Sequence, residues 1–190
     1  MRSASFCCLI FEHEPLLVTQ TGVTINALRR GSKVGTAMFV IREDDLSGEQ
    51  TRELLALHLA GMHATSPPGS VFALDLSGLL IPEVTVWSAW KGCRIASIGA
   101  LKVLDDRTAE VKSMRTHPDF LRAGAAAAIL DTIITAANAK GADRLSLETG
   151  SGPAFDAALT LYRRRGFVSG GAFAEYEQSD FNQFLHLDLA

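Results

Sequence analysis

The chain has 190 residues, 47% hydrophobic and 21% charged, a formal net charge of −3 and three cysteines. That length buries one sizeable core but is short for two full domains, and the mild acidity provides no general pull toward nucleic acid or an anionic membrane. Cys7, Cys8 and Cys93 are too few and too oddly spaced for a disulfide framework or a zinc set, so we expect a reducing cytoplasm and no metal. The apolar run of residues 6–11 is cut off by Glu12 and Pro15, too soon for a signal core or a membrane span.

Residues 1–37 lack sustained periodicity and read as an appendage, either disordered or upstream of an alternative start at Met38; the domain proper is 38–190. From Met38 a short apolar strand begins. Ser47 is a candidate cap for a helix to His63, with Leu54, Leu55, Leu57, Leu59 and Met62 at near-helical spacing. After the Ser66-Pro-Pro-Gly69 turn, residues 71–80 read as a short helix or ordered loop. Three β-rich runs follow, 84–90, 94–104 and 108–116, separated by Lys91-Gly92 and Asp105-Asp106-Arg107; they predict an antiparallel meander. An alanine-rich helix then closes at Gly141, a strand runs over 144–149, a helix over about 153–165 ends at Gly166, and a last strand runs over about 182–189.

The join between the third meander strand and the alanine-rich helix carries the first chemical signal. A helix start offers unpaired amides and the positive end of the macrodipole, which together suit a diphosphate. Gly124 and the small residues Ala123, Ala125, Ala126 and Ala127 permit close approach to the backbone, and Arg122 adds a charge. An ordinary buried helix is written in the same letters.

The wider pattern decides between them. Ala109-Glu-Val-Lys-Ser-Met-Arg-Thr-His-Pro-Asp119, the Gly124 turn, Leu145-Ser-Leu-Glu-Thr149 and Ala158-Leu-Thr-Leu-Tyr-Arg-Arg-Arg-Gly-Phe167 together resemble the GNAT superfamily of N-acetyltransferases, over about residues 38–190. Within it the chain is similar to a group of small bacterial acetyltransferases with a His-x-x-Met-His-x-x-Ser-Pro-Pro segment, here residues 58–68 up to local variation. The resemblance implies an α/β (α+β) fold: a mixed, mostly antiparallel sheet flanked by helices, with a splayed strand pair that receives acetyl-CoA as co-substrate. It implies backbone contacts to the cofactor from Arg122 to Ala127 and to its pantetheine arm from Lys112, Ser113 and Met114, with Phe155 and Ala158 also at the cofactor. Two positions depart from the family pattern: Leu121 stands where Gln or Arg is usual, and Phe155 where Asn is frequent.

The same resemblance places Tyr162 beside the thioester sulfur, where a neutral phenol could protonate the departing thiolate. An ammonium acceptor must also lose a proton, and Glu110 and Glu148 are the candidate carboxylates. Glu110 could equally be a solvated residue paired with Lys112 or Arg94. His117, before Pro118, reads as structural. Trp87 and Trp90 should face opposite sides of one strand, and Arg163–Arg165 suit a helix C-terminus whether or not they reach a phosphate. His58 and His63 are badly spaced for a metal and no His-Glu-x-x-His pattern occurs. The expected activity is acetyl transfer from acetyl-CoA to a primary amine of a small molecule or peptide by direct attack, in a cytoplasmic enzyme; a homodimer is expected by analogy. The alternative is a non-catalytic coenzyme A-binding sensor or interaction module.

Overall fold

The computed structural model describes residues 39–67 and 74–189. Cys7, Cys8, the Met38 start and the appendage of residues 1–37 lie outside the described residues, as do residues 68–73.

Seven strands form one sheet in the order β1-β2-β3-β4-β5-β7-β6: β1 Val40–Glu43, β2 Val84–Lys91, β3 Arg94–Val103, β4 Thr108–Thr116, β5 Arg144–Gly150, β6 Val168–Gly170 and β7 Asn182–Asp188. Every neighbouring pair is antiparallel except β4 and β5. The meander expected over residues 84–116 is therefore present, and β6 is an additional edge strand that the sequence reading did not contain. Its three residues are all exposed, so no alternation of apolar residues marks it.

Helix α1, Glu49–Thr65, starts later than Ser47 suggests. Gly48 is the cap residue, while the Ser47 hydroxyl is turned back onto Asp45 Oδ1 at 2.6 Å. The helix buries Thr51, Leu54, Leu55 and His58, and leaves Leu57 exposed. Leu57 is thus not part of the core face, and a histidine takes that place. The Gln50 side chain ties this helix to the β2–β3 hairpin, donating to the Cys93 carbonyl and accepting from Ile95 N–H, both at 3.0 Å. Helix α2, Leu76–Leu79, is a single turn capped by Asp75, which accepts from Gly78 N–H at 2.9 Å.

Helix α3, Ala125–Ala139, lies on the other face of the sheet, where Ala125, Ile129, Leu130, Ile133 and Ala137 pack with Trp87, Leu101, Val111, Leu145 and Leu147. Alanine at the contact lets the helix sit close to the strands. Helix α4, Asp156–Arg164, begins three residues after the expected start because residues 153–155 form a turn whose Phe155 ring points into the core. Arg165 grips Asp131 of α3 through two hydrogen bonds of 2.6 and 3.0 Å, so the end of the basic triplet holds one helix to another. A second cluster, Leu54, Leu55, Val86, Ile95 and Ile98 among it, fills the space under α1 and α2. Trp87 belongs to the α3 side and Trp90 packs against the α1 side, on opposite faces as their spacing requires.

Candidate active site

The one parallel junction is short. β4 and β5 pair only at Thr108–Arg144, Ala109–Leu145 and Glu110–Ser146; beyond these, residues 111–116 and 147–150 have no ladder between them. The cause is local to β4. Its register with β3 shifts between Ile98 and Ala100, so that two residues, Ser113 and Met114, stand opposite Gly99, and Ser113 adopts φ 52°. Such a bulge bends and twists its strand, here directing the second half of β4 away from β5. A Cβ on Gly99 would overlap Met114 Sδ and Ile129 Cγ2, so the glycine gives the bulged methionine its room.

Downstream of β4, a 3-10 turn at Pro118–Phe120 leads to the α3 start. His117 caps that turn, its Nδ1 accepting from Asp119 N–H at 3.2 Å, which is the structural part foreseen for it. Arg122 and Gly124 then both take left-handed backbone conformations, φ 58° and 92°. The first intrahelical bond is made by Ala128 N–H to the Gly124 carbonyl, so the amides of Ala125, Ala126 and Ala127 precede it and have no helical acceptor. Nothing lies within 4 Å of where a Gly124 Cβ would be. The concave, amide-lined turn fits a diphosphate. Leu121 is 62% exposed at its rim.

Around the opening stand four ionisable side chains from three elements. Glu110, only 2% exposed, accepts from the Tyr176 hydroxyl at 2.6 Å and lies 3.3 Å from Lys112 Nζ, which in turn donates to Tyr176 Oη at 2.5 Å. Glu110 is therefore a buried, partnered carboxylate rather than a solvated strand residue, and Arg94 is engaged with Asp119 instead. Glu148, next along the same face of β5 from Ser146, has its carboxyl pushed up to about 7, first by burial; the Glu110 charge adds to this and Lys112 opposes it. A carboxyl poised there can take a proton from an ammonium near neutral pH. Tyr162 comes from α4, is buried against Phe167, and has its hydroxyl held well above the ordinary phenol range by burial and then by Glu148. Its hydroxyl has no hydrogen-bond partner among the described residues, and it stays a neutral proton donor.

Tyr162, Glu110, Glu148, Lys112, Ser113 and Met114 thus converge on the strand opening, with Arg122 to Ala127 at its far end. The Phe155 ring meets Phe181 edge-on at 5.7 Å and fills the space over Gly150, at the end of the opened stretch of β5. Ala158 is partly buried against the same core. Tyr176 was not visible in the sequence reading because it lies in the irregular segment 171–181, where no periodicity assigns it a side. His58, weighed in the sequence only as a metal ligand, faces β4 and has its pKa lowered to about 4 by burial, then by Arg115 and Lys112.

A groove of about 1200 Å³ runs along the α1 face to this point, from Leu74, Ile81 and Lys102 past Phe173 and His186 to Lys112 and Glu110. His186 forms its wall: Nε2–H donates to the Gly171 carbonyl at 2.9 Å, which leaves Nδ1 to accept from Ser146 Oγ–H at 2.8 Å. Neither tryptophan lines it. Among the described residues no helix is long and apolar enough to cross a membrane, and no three His, Cys, Asp or Glu side chains gather in a metal-binding group.

Residues 48–167 match the acetyltransferase (GNAT) family, a span that takes in α1, the meander, the turn before α3 and α4. The chain belongs to the GNAT acetyltransferase family. It is 46% identical over 152 residues to the uncharacterized N-acetyltransferase YedL of Escherichia coli (strain K12), covering 80% of this chain and 96% of that protein. To the uncharacterized N-acetyltransferase YsnE of Bacillus subtilis (strain 168) it is 46% identical over 145 residues, 76% of this chain and 96% of that one. A GNAT acetyltransferase from Elizabethkingia anophelis, solved with acetyl-CoA bound, shares the fold at a TM-score of 0.60 with 18% identity, covering 81% of this chain and all of that one. As a GNAT member the chain is an acetyl-CoA-dependent acetyltransferase.

Proposed function

We propose that this enzyme moves the acetyl group of acetyl-CoA onto a primary amine of a small molecule or peptide by direct attack, and that residues 38–190 form the catalytic domain. The observation that carries the reading is the opening of β4 from β5 after Glu110 and Ser146, with Tyr162 and Glu148 close enough for one to shift the other's pKa.

The turn from Arg122 to Ala127 holds the cofactor diphosphate, and the freed backbone of Lys112, Ser113 and Met114 holds the pantetheine arm. Bound acetyl-CoA supplies an activated thioester carbonyl. Glu148 takes the first proton from the acceptor ammonium, which exposes the nitrogen lone pair. The nitrogen–carbon bond forms, Tyr162 gives its proton to the thiolate as the carbon–sulfur bond breaks, and the second proton shed by the acylated nitrogen restores the Tyr162 phenol. Glu110, already occupied by Tyr176 and Lys112, fixes the segment around Tyr176 to β4 and adds a smaller push to the burial that raises the Glu148 pKa. Positioning and preorganised amides carry most of the acceleration.

The test is free-thiol release from acetyl-CoA across a panel of primary amines, with the acetylated product confirmed by mass. Turnover confined to alcohols or water would reject amine transfer. An acetylated enzyme trapped on a Cys or Ser side chain would reject direct attack.

A further inference from the structure

Among the described residues, three buried side-chain polar atoms have no hydrogen-bond partner, namely Ser66 Oγ, Ser113 Oγ and Arg115 Nε. Folded proteins leave few such groups, and each calls for an explanation. Here all three lie on two elements that face each other: Ser66 caps α1, while Ser113 and Arg115 lie on the second half of β4. Arg115 is the informative one. Among the described residues its guanidinium has no carboxylate within ion-pair distance, although other arginines such as Arg94, Arg107, Arg144 and Arg165 are each matched to an aspartate.

The site is shaped as well as charged. The guanidinium lies against Gly61 in the interior of α1, where a Cβ would come within 3.2 Å of Nη1. Glycine is disfavoured in a helix interior relative to alanine, and what it provides here is room for that fork. His58, one turn earlier, is near enough to Arg115 and Lys112 to feel both charges. Two cations, Arg115 and Lys112, thus lie on the α1 face of β4, with His58 beside them kept neutral by burial and by their charges. This is the face opposite α3, whereas Phe120 and Ala125, which flank the turn before α3, pack on the α3 side. Lys112 links Arg115 to the inner end of the groove beside Glu110 and Glu148.

We infer that Arg115, seated on Gly61 and flanked by His58 and Lys112, binds the carboxylate of the acceptor, so that the substrate is an amine carrying a carboxylate, of the amino-acid class. A planar carboxylate matches the guanidinium fork and would supply the acceptor that Nε lacks. The inference rests on the amine-transfer reading above and narrows it.

The test compares amino acids with their primary amides as acceptors, acetyl-CoA in excess, by thiol release. The amide has the less basic amine and is intrinsically the easier nucleophile at neutral pH, so a preference for the acid requires an anion site. The acids are expected to exceed their amides by about 10-fold or more in kcat/KM, the range of a charge-assisted contact. Arg115→Gln is expected to abolish that preference through the acceptor KM, leaving the amide rates and the acetyl-CoA KM unchanged, and Arg115→Lys to keep part of it. An intact acetyl-CoA-induced rise in Tm certifies that each variant is folded, and Arg115→Lys carries the comparison if the glutamine variant is not. Equal use of acids and amides, or an Arg115→Gln effect on acetyl-CoA KM, overturns the carboxylate site and leaves amine transfer standing. If neither series is acetylated, calorimetric titration of the same amino acids onto the coenzyme A-saturated enzyme decides: binding lost in Arg115→Gln upholds the site and rejects amine transfer, and no binding overturns both.

Discussion

Glu148 couples activity and stability in opposite directions. Its ordinary value is 4.5 and its value in the fold is about 7, so between those values the folded chain binds more protons than the unfolded one. The stabilising contribution is complete below pH 4.5 and is lost as pH rises through 7, whereas the base that proton abstraction needs appears over the same upper range. The groups facing it are Lys112, Glu110, Tyr162 and Tyr176. Glu148→Gln should therefore lower kcat by about 100-fold or more and flatten the rise of kcat with pH around 7. The same variant should be more stable than the parent at pH 8, on the order of 2 kcal/mol, and equal to it at pH 4. Denaturant titrations at the two pH values measure this, and a variant less stable at pH 8 would contradict the assignment. Tyr162→Phe removes only a hydroxyl with no hydrogen-bond partner among the described residues, so it should cut kcat by about 100-fold while acetyl-CoA affinity and Tm stay close to the parent's. These two residues were named from the sequence because a motif and a required proton transfer point to their types. Tyr176 was not, since its place beside Glu110 comes from a contact 66 residues away along the chain.

The strand and helix order was legible for a related reason. The meander, the alanine-rich helix and the last strand each carry an uninterrupted period, and glycines at 92, 141 and 166 with positive φ end or join them. The bulge in β4 is different, because Val-Lys-Ser-Met reads as ordinary strand; only the register against β3 reveals two residues opposite Gly99. That makes Gly99 a sensitive position far from any charge. Gly99→Ala should push Met114 and Ile129 apart, cost about 1–3 kcal/mol, and weaken acetyl-CoA binding by displacing the freed strand edge. Loss of stability with unchanged affinity would show that the bulge does not shape the cofactor site. The turn before α3 answers oppositely. Leu121 is exposed on its rim and contributes nothing to the core, so Leu121→Arg should leave Tm unchanged and tighten acetyl-CoA binding about 3- to 10-fold by adding a cation near the diphosphate. Weaker binding would mean that Leu121 does not face the phosphates.

Across the whole molecule the sheet has two parts, β1 to β4 and β5 to β7, and between them runs a ladder of only three residue pairs. The division is also spanned by the α3 and α4 side of the core, where Val111 of β4 and Leu147 of β5 share one cluster, and on the other face by Tyr176 bonded to Glu110 and Lys112 of β4. The division is a cost to the free protein, because strand edges beyond Glu110 and Ser146 have no neighbour to satisfy their amides. A ligand lying between those edges supplies the missing partners and must stabilise the fold, by about 2.7 kcal/mol at 100 times its dissociation constant. Location distinguishes this from stabilisation in general. Hydrogen exchange with and without acetyl-CoA should slow in peptides covering residues 111–116, 121–127 and 147–150, while the β2–β3 hairpin, already paired on both sides, changes little. Protection spread evenly over the sheet would mean that the cofactor acts through global stability alone, and protection absent from 147–150 would place it on the β4 side only, leaving Glu148 and Tyr162 too far from the thioester for the parts assigned to them.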